Sequence, residues 1–188
     1  MENTVKQTGI LEKTGVFNED LTKRYELTMI YSGIKGKKIL VVGLNPASDN
    51  IQLVDMTTNY LTNNLLLMGY SEITVWNLYA DICTKLKPSQ VTDNNDNFDY
   101  LQELLTRGYD AILVSYGNTY LGNKSVEQQK MRLLECIYPY AKKVYELIDK
   151  KKAYERLRNI HVLFAGQRFS GEWKFRKYIF PAEIIGKR

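Results

Sequence analysis

The sequence predicts an α/β protein with an open, mostly parallel β-sheet and helices on both faces, in three layers. Four short and continuous apolar runs, typical of buried strands, lie at 39–42, 73–76, 111–114 and 160–165. The segments between these runs have helical periodicity or the composition of turns. Strands that alternate with helices are typical of a sheet covered on both faces.

The N-terminal part of the chain predicts a leader followed by a hairpin. Residues 1–20 are polar and are expected to form a flexible leader, whereas residues 21–188 are expected to form one α/β domain. Apolar and polar residues alternate within 25–31, which is the pattern of a half-buried strand. The two glycines within 33–38 predict a turn that joins this strand to the run 39–42 in an antiparallel hairpin.

Helices are predicted between the next strands. Residues 55–68 predict a helix that Asp55 caps and Gly69 ends. A polar loop is expected over 88–97, followed by a short helix over 99–107.

The last third of the chain is expected to be mainly helical. Residues 125–158 predict a long helical stretch that Pro139 kinks or divides. The run 160–165 predicts the last buried strand, and a short terminal helix is expected over 171–178.

Length and composition exclude several classes of protein. The 188 residues suffice for one domain with a full core. No apolar run is long enough for a transmembrane helix, and the polar start 1–14 is not a signal peptide. Two cysteines do not make a disulfide framework, so a cytoplasmic location is expected. The single histidine, His161, excludes a multi-histidine metal site, and no glycine-rich phosphate motif occurs, so neither metal nor cofactor is expected.

Basic residues are concentrated in the C-terminal segment. Residues 1–141 contain 13 basic and 16 acidic side chains, whereas 142–188 contain 13 basic and 5 acidic ones. Such a segment is typical of proteins that bind nucleic acid, nucleotides or anionic lipid. Lys174, Arg176 and Lys177 stand among aromatic residues, a mixture suited to the phosphates and bases of single-stranded or flipped-out nucleic acid. The alternative is a terminal helix whose rings pack on the core.

Amide side chains and glycines follow the four apolar runs. In open α/β sheets the ligand site lies beyond the carboxyl ends of the strands, so we expect these residues to meet. An amide offers both a donor and an acceptor, which suits the edge of a nucleobase or a bound water molecule. Each of these residues taken alone is also a common turn element. The candidates are Gly43, Leu44, Asn45, Pro46 and Ala47 after the first run, Asn77 and Tyr79 after the second, Gly117 and Asn118 after the third, and Gln167, Arg168 and Ser170 after the fourth.

The same residues resemble an uncharacterised prokaryotic and phage family, one of the domains of unknown function. Its members carry an LNPS-type motif after a first hairpin, an Asp-initiated helix, a glycine-aromatic turn, a V-x-N-L-[FY]-A strand end and a W-G-N turn. The resemblance spans about 24–166. The matching segments here are 38–49, 55–58, 69–70, 75–80 and 116–118.

More distantly, this layout is similar to the uracil-DNA glycosylase superfamily. There, a G-x-[ND]-P motif after a strand places or activates the attacking water, and Asn45 stands at that position. A later strand ends in an asparagine that reads the pyrimidine edge, and Asn77 stands there. The superfamily's W-G-x-x-A turn is similar to 116–118. The resemblance implies a glycosylase-like fold and a pocket for a base flipped out of DNA.

The chain departs from that superfamily in the last motif. That motif normally carries His-Pro-Ser, and its histidine stabilises the negative charge on the leaving base, whereas residues 166–170 here read GQRFS. We expect His161 to lie too early, inside the strand 160–165. Gln167 or Arg168 is then the candidate for the stabilising hydrogen bond or positive charge.

Three functions are consistent with these residues. In the first, the protein excises or recognises a nucleobase in DNA, with Asn45 and Asp49 as catalytic candidates, Asn77 as the base reader, and Tyr60 or Tyr79 as the stacking ring. In the second, a non-catalytic protein binds nucleic acid or a nucleotide in the same pocket. In the third, an enzyme acts on a free nucleoside or nucleotide. Only the first predicts an abasic product, and only binding to nucleic acid predicts a steep loss of affinity with salt.

Overall fold

The computed structural model describes residues 4–90 and 94–186, with the backbone alone at Gln90. One mixed sheet of seven strands runs through these residues, and its order is β1-β2-β4-β3-β5-β6-β7. The strands are β1 (Ile10–Phe17), β2 (Arg24–Ser32), β3 (Lys37–Gly43), β4 (Tyr70–Asn77), β5 (Ala111–Val114), β6 (Val144–Asp149) and β7 (Trp173–Lys177).

Five α-helices are found in the same residues. They are α1 (Met56–Leu67), α2 (Asn95–Leu105), α3 (Lys124–Ile137), α4 (Val162–Arg168) and α5 (Ala182–Ile185). Two short 3₁₀ helices span Pro88–Gln90 and Tyr138–Lys143. None of the helices in the described parts of the chain is long and apolar enough to cross a membrane.

The central strands are parallel and the outer strands are antiparallel. β3 pairs in parallel with β4 and with β5, and β5 pairs in parallel with β6. The pairs β1–β2, β2–β4 and β6–β7 are antiparallel. The α/β class is therefore confirmed, but the sheet is mixed rather than mostly parallel.

The side chains of β3 alternate between two hydrophobic clusters. Leu40 and Val42 pack with residues of α2 and α3, whereas Ile39 and Val41 pack with residues of α1 and α4. Because successive side chains of a strand point to opposite faces, both faces of the sheet are covered at its centre. The apolar run 39–42 is continuous for this reason.

The N-terminal hairpin is formed by a different pair of strands from the pair expected. Residues 10–17, assigned above to a flexible leader, form β1, and this strand pairs with β2. β2 and β3 do not pair, because β4 lies between them. None of the side chains of β1 is fully buried, and the strand has a weak apolar signal.

The C-terminal third differs most from the prediction. Residues 144–149, expected in a long helix, form the fourth parallel strand β6. The run 160–165, expected as that strand, lies mostly in α4, and the expected helix 171–178 contains β7. Earlier in the chain, α2 begins at Asn95, before the predicted start, and part of the expected loop (91–93) lies outside the described residues.

Candidate functional site

A pocket of about 260 Å³ lies where β3, β4 and β5 end. The last residue of β3, Gly43, pairs with the last residue of β4, Asn77, and Ser115 follows β5 directly. All three residues line this strand-end pocket, together with Asn45 and His161. The pocket thus lies at the edge where the sequence predicts it.

Asn77 presents an amide group to the pocket that no protein group uses. The residue is only 5% exposed, and its backbone carbonyl accepts a hydrogen bond from Asn97 Nδ2 at 3.0 Å. No hydrogen bond joins the side-chain amide of Asn77 to another of the described residues. Neither atom of this amide is among the fully buried atoms that lack a partner, so the amide is accessible from the pocket and can pair with water or with a polar ligand.

Because Gly43 has no side chain, the amide of Asn77 can occupy the space beside it. A Cβ atom at position 43 would collide with Oδ1 of Asn77. The residue therefore has to be glycine if Asn77 is to keep its place at the pocket wall.

We expect Gly43→Ala to displace the Asn77 side chain, and to destabilise the protein by about 1–3 kcal/mol, as overpacking of a closed site does. Thermal unfolding and ligand titration measure the two effects. Gly9→Ala is the matched control, because a Cβ there meets no atom within 4 Å. Equal stability and equal ligand affinity for both variants would contradict this role of Gly43.

Two hydrogen bonds donated by the amide nitrogen of Asn45 hold this side chain in a fixed orientation. Nδ2 donates to the backbone carbonyl of Cys83 at 2.7 Å and to that of Pro46 at 3.1 Å. Both bonds require the nitrogen on that side, which assigns the other position to Oδ1. No group among the described residues donates to Oδ1, so this oxygen is available to accept a hydrogen bond from water or ligand.

His161 lies in the loop before α4 and not inside a strand, which corrects the expectation from the sequence. It is the N-cap of α4, and its Nδ1 accepts a hydrogen bond from the backbone N–H of Leu163 at 3.1 Å. A neutral ring that accepts at Nδ1 carries its proton on Nε2. Burial lowers the pKa of His161 below its ordinary 6.5, against the opposite effect of Asp55, so the neutral form prevails near pH 7.

Three hydrogen bonds and one packing contact fix the loop that carries His161 to the end of β5. Ser115 Oγ donates to the carbonyl of Ile160 at 2.8 Å, and the N–H of Gly117 donates to that of Asn159 at 2.9 Å. Gly117 has φ +76° and packs against His161, where a Cβ would come within 3.1 Å of the histidine Cβ. Asn118 Nδ2 donates to the carbonyl of Arg158 at 2.8 Å. Gly117 and Asn118 therefore position the histidine rather than line the pocket.

A buried carboxylate fixes the same loop from β6. Glu146 is 0% exposed, and its Oε1 accepts from Nε of Arg158 at 2.5 Å and from Nε of Arg176 at 3.0 Å. Its Oε2 accepts from the backbone N–H of Asn159 at 2.9 Å. The network joins β6, β7 and the residues just before His161.

Charged groups reach the strand-end pocket from the start of β2 and of α1. Asp55 carries the one carboxylate among the described residues that line the pocket, and its Oδ1 accepts from the N–H of Thr58 at 2.6 Å. It is therefore both the helix cap that the sequence predicts and a pocket residue. Arg24 lines the same pocket, with burial lowering its pKa.

Several predicted site residues lie elsewhere. Pro46 and Ala47 line the pocket, but Asp49 is exposed and does not. The ring of Tyr60 lies against Gly166, where a Cβ would collide with it. Tyr79 belongs to the hydrophobic core, and Leu44 packs against the same cluster. Gln167, Arg168 and Ser170 are exposed on or just after α4 and are not lining residues.

The basic tail is used mainly for internal contacts. Arg176 pairs with Glu146, and its guanidinium also donates to the carbonyls of Glu155 and Leu157. Lys177 lies 4.0 Å from the centre of the Tyr145 ring. Lys174 is exposed on β7.

The sequence reasoning missed Arg24 and His161. The start of β2 reaches the pocket because β2 is antiparallel to β4, so its first residues lie beside the carboxyl end of β4. The sequence gives little sign of the role of His161. It stands within an apolar run, and histidine is uncommon as the N-cap of a helix such as α4.

The comparisons identify a family without a known activity. The sequence model of the family described as "Protein of unknown function (DUF1643)" matches residues 24–156. No curated protein is significantly similar to the chain. No solved structure matches it either. No group of three histidine, cysteine, aspartate or glutamate side chains suited to a metal ion occurs within 4–90 and 94–186.

Proposed function

The chain belongs to the DUF1643 family, and we propose that its strand-end pocket binds a nucleobase of DNA and that the protein hydrolyses the bond between this base and its sugar. The observation that carries the proposal is the convergence of Asn45, Asn77 and His161 on one small pocket. Its volume of about 260 Å³ is slightly below the range of drug-sized ligands, which suits a single base.

Asn77 reads the edge of the base. Its side-chain amide is nearly buried in the pocket wall and offers a donor and an acceptor together. A base that presents the complementary donor and acceptor satisfies both, and one with the reversed pattern leaves buried groups unpaired. Discrimination against the wrong base by such a site is large for that reason.

His161 stabilises the departing base. When the bond between the anomeric carbon and the base nitrogen breaks, its electron pair leaves with the base, and negative charge develops on the base oxygen. The N–H at Nε2 of the neutral His161 donates a hydrogen bond to that oxygen, and the backbone bond at Nδ1 holds the ring in this tautomer. Gln167 and Arg168, the sequence-based candidates for this role, are exposed on α4.

Asn45 positions the attacking water molecule, and Asp55 accepts its proton. The free Oδ1 of Asn45 accepts one hydrogen bond from the water that attacks the anomeric carbon. Asp55 takes the proton that the water loses and later releases it to solvent, while the departing base, which carries the electron pair of the broken bond, takes a proton from solvent. The products are the free base and a sugar with a hydroxyl at its anomeric carbon. Asp55 replaces Asp49 in this role, because Asp49 does not reach the pocket.

The order of these groups along the chain supports a glycosylase-like, three-layer architecture. A Gly-x-Asn-Pro segment begins at the last residue of β3, an asparagine ends β4, and a histidine precedes the helix after the last parallel strand. This is the order in the uracil-DNA glycosylase superfamily, with His161-Val162-Leu163 in place of His-Pro-Ser. The exposed Lys174 is the tail residue best placed to contact DNA phosphates.

The test is a binding assay against single-stranded and duplex DNA over a series of salt concentrations, followed by alkaline cleavage at abasic sites. We expect salt-sensitive binding and strand cleavage at one kind of base. Asn45→Ala is expected to lose the abasic product and keep DNA binding, whereas Asn63→Ala, an exposed asparagine of α1, is expected to keep both.

Other outcomes of this test decide against parts of the proposal. Binding without cleavage at any base would leave a non-catalytic reader of nucleic acid. No binding at low salt would contradict the DNA substrate and leave free nucleosides or nucleotides as ligands. Loss of binding and product together in Asn45→Ala, with a lowered melting temperature, would show that Asn45 has a folding role.

A further inference from the structure

A second cavity adjoins the strand-end pocket. Its volume is about 320 Å³, and it lies between β1, the start of β2 and residues 47–58. The two cavities share Arg24, Leu27, Ala47, Asp55 and Thr58 as lining residues. The two cavities therefore adjoin at these shared residues, with Arg24 among them.

Arg24 stands between the two cavities without an ionic partner. Its Nη1 donates to the backbone carbonyl of Ser48 at 3.2 Å, and its Nε is buried with no hydrogen-bond partner. No carboxylate oxygen of the described residues lies within 4.0 Å of its guanidinium, although Asp55 is near enough to favour its charge. Other arginines, by contrast, are paired: Arg107 with Glu26, and both Arg158 and Arg176 with Glu146.

A largely buried guanidinium with unused donors is unfavourable unless an anion accepts hydrogen bonds from them and balances the positive charge. Arginine binds phosphate oxygens through two parallel hydrogen bonds, which makes phosphate the anion of choice for such a group. Lys13 lines the second cavity as well and adds a positive charge, while its Nζ donates to the carbonyls of Ile51 and Leu53. Asp55 is the opposing negative charge of this cavity.

We propose that Arg24 binds the phosphate of a nucleotide whose base occupies the strand-end pocket, with the phosphate in the second cavity. The inference rests on the proposed function, because the base in the first pocket brings its phosphate to Arg24. The phosphate is either that of a 5′-monophosphate or the diester of a DNA strand.

Calorimetric titration at low salt tests the proposal with uridine, thymidine, cytidine, adenosine and guanosine, their 5′-monophosphates, and inorganic phosphate. For the base that binds, the monophosphate is expected to have a Kd at least about tenfold below that of the nucleoside, which corresponds to about 1.4 kcal/mol. Arg24→Gln is expected to reduce this difference to less than about twofold, with a smaller change in the Kd of the nucleoside than in that of the monophosphate. Arg156→Gln, at an exposed arginine, is the matched control and is expected to change neither.

Two outcomes would overturn the role of Arg24 while leaving base binding intact. One is equal affinity of the wild-type protein for nucleoside and monophosphate. The other is an equal loss of affinity for both ligands in Arg24→Gln. Arg24-dependent binding of inorganic phosphate without binding of any nucleoside would instead support the phosphate site and contradict the proposed function.

A short single-stranded oligonucleotide of the same base distinguishes the two sources of the phosphate. If Arg24→Gln weakens the oligonucleotide and the monophosphate to the same extent, the site accepts a diester of a DNA strand. If the wild-type protein binds the monophosphate but not the oligonucleotide, the phosphate is terminal and the ligand is a free nucleotide.

Discussion

His161→Ala is expected to lower the rate of base release by at least about a hundredfold, which is the usual loss when one donor to a developing negative charge is removed. The alanine has no N–H to offer in place of Nε2. Single-turnover measurement of base release isolates this step, because it does not include product dissociation. DNA binding is expected to persist, since the donor acts mainly as charge develops.

A second variant separates the structural role of His161 from its catalytic role. His161→Ser keeps an oxygen that can cap α4 but has no ring N–H. It is expected to be as slow as His161→Ala and more stable. In the wild-type protein the rate should fall as the pH is lowered through the depressed pKa of His161, because protonation at Nδ1 removes the acceptor for the N–H of Leu163 that holds the ring. Wild-type rates in the serine variant would contradict the catalytic role.

Glu146→Ala is expected to destabilise the fold by about 3 kcal/mol, because it leaves two arginines without the carboxylate that they share. The expected value is near the lower end for a buried ion pair because Arg158 and Arg176 are partly exposed. The same change removes the acceptor for the N–H of Asn159, so the loop that carries His161 is also loosened. Denaturant unfolding measures the first effect and the rate of base release the second.

A surface ion pair provides the control for this prediction. Glu72 lies 2.8 Å from Lys38, and both side chains are partly exposed. Glu72→Ala is expected to cost less than about 1 kcal/mol, since exposed pairs contribute little. Similar losses of unfolding free energy for Glu72→Ala and Glu146→Ala would argue against a structural role for the buried network.

The central elements could be predicted because their signals are local. The strand 111–114 consists of four apolar residues, all of which are buried, and its bounds were predicted correctly. The helix α1 was predicted from its cap, and Asp55 indeed accepts a hydrogen bond from the N–H of Thr58. The rule that ligands bind beyond parallel strand ends then located the pocket.

The elements that were missed depend on distant partners. β6 contains Glu146 and Asp149, which are buried although acidic, and the arginines that make the burial of Glu146 possible lie 12 and 30 residues further along the chain. No periodicity within 144–149 carries that information. The run 160–165 is short and apolar, a pattern that strands and buried helices share.

The lining of the strand-end pocket was predicted in part for the same reasons. Asn45 and Asn77 directly follow or end strands, so their meeting could be inferred from the order of elements. Arg24 reaches the pocket through the antiparallel direction of β2, which depends on β4 lying between β2 and β3. His161 was misplaced together with the strand 160–165.

The most direct test of the central claim, that the strand-end pocket recognises a base, is a nuclear magnetic resonance titration with the five nucleosides. The side-chain amide of Asn77, assigned with Asn77→Ala, and the ring of His161 are the reporters. We expect both to shift with one base and to remain unchanged with bases of the reversed hydrogen-bonding pattern. Unchanged reporters with every nucleoside at millimolar concentration, or shifts confined to residues outside the pocket, would contradict the claim.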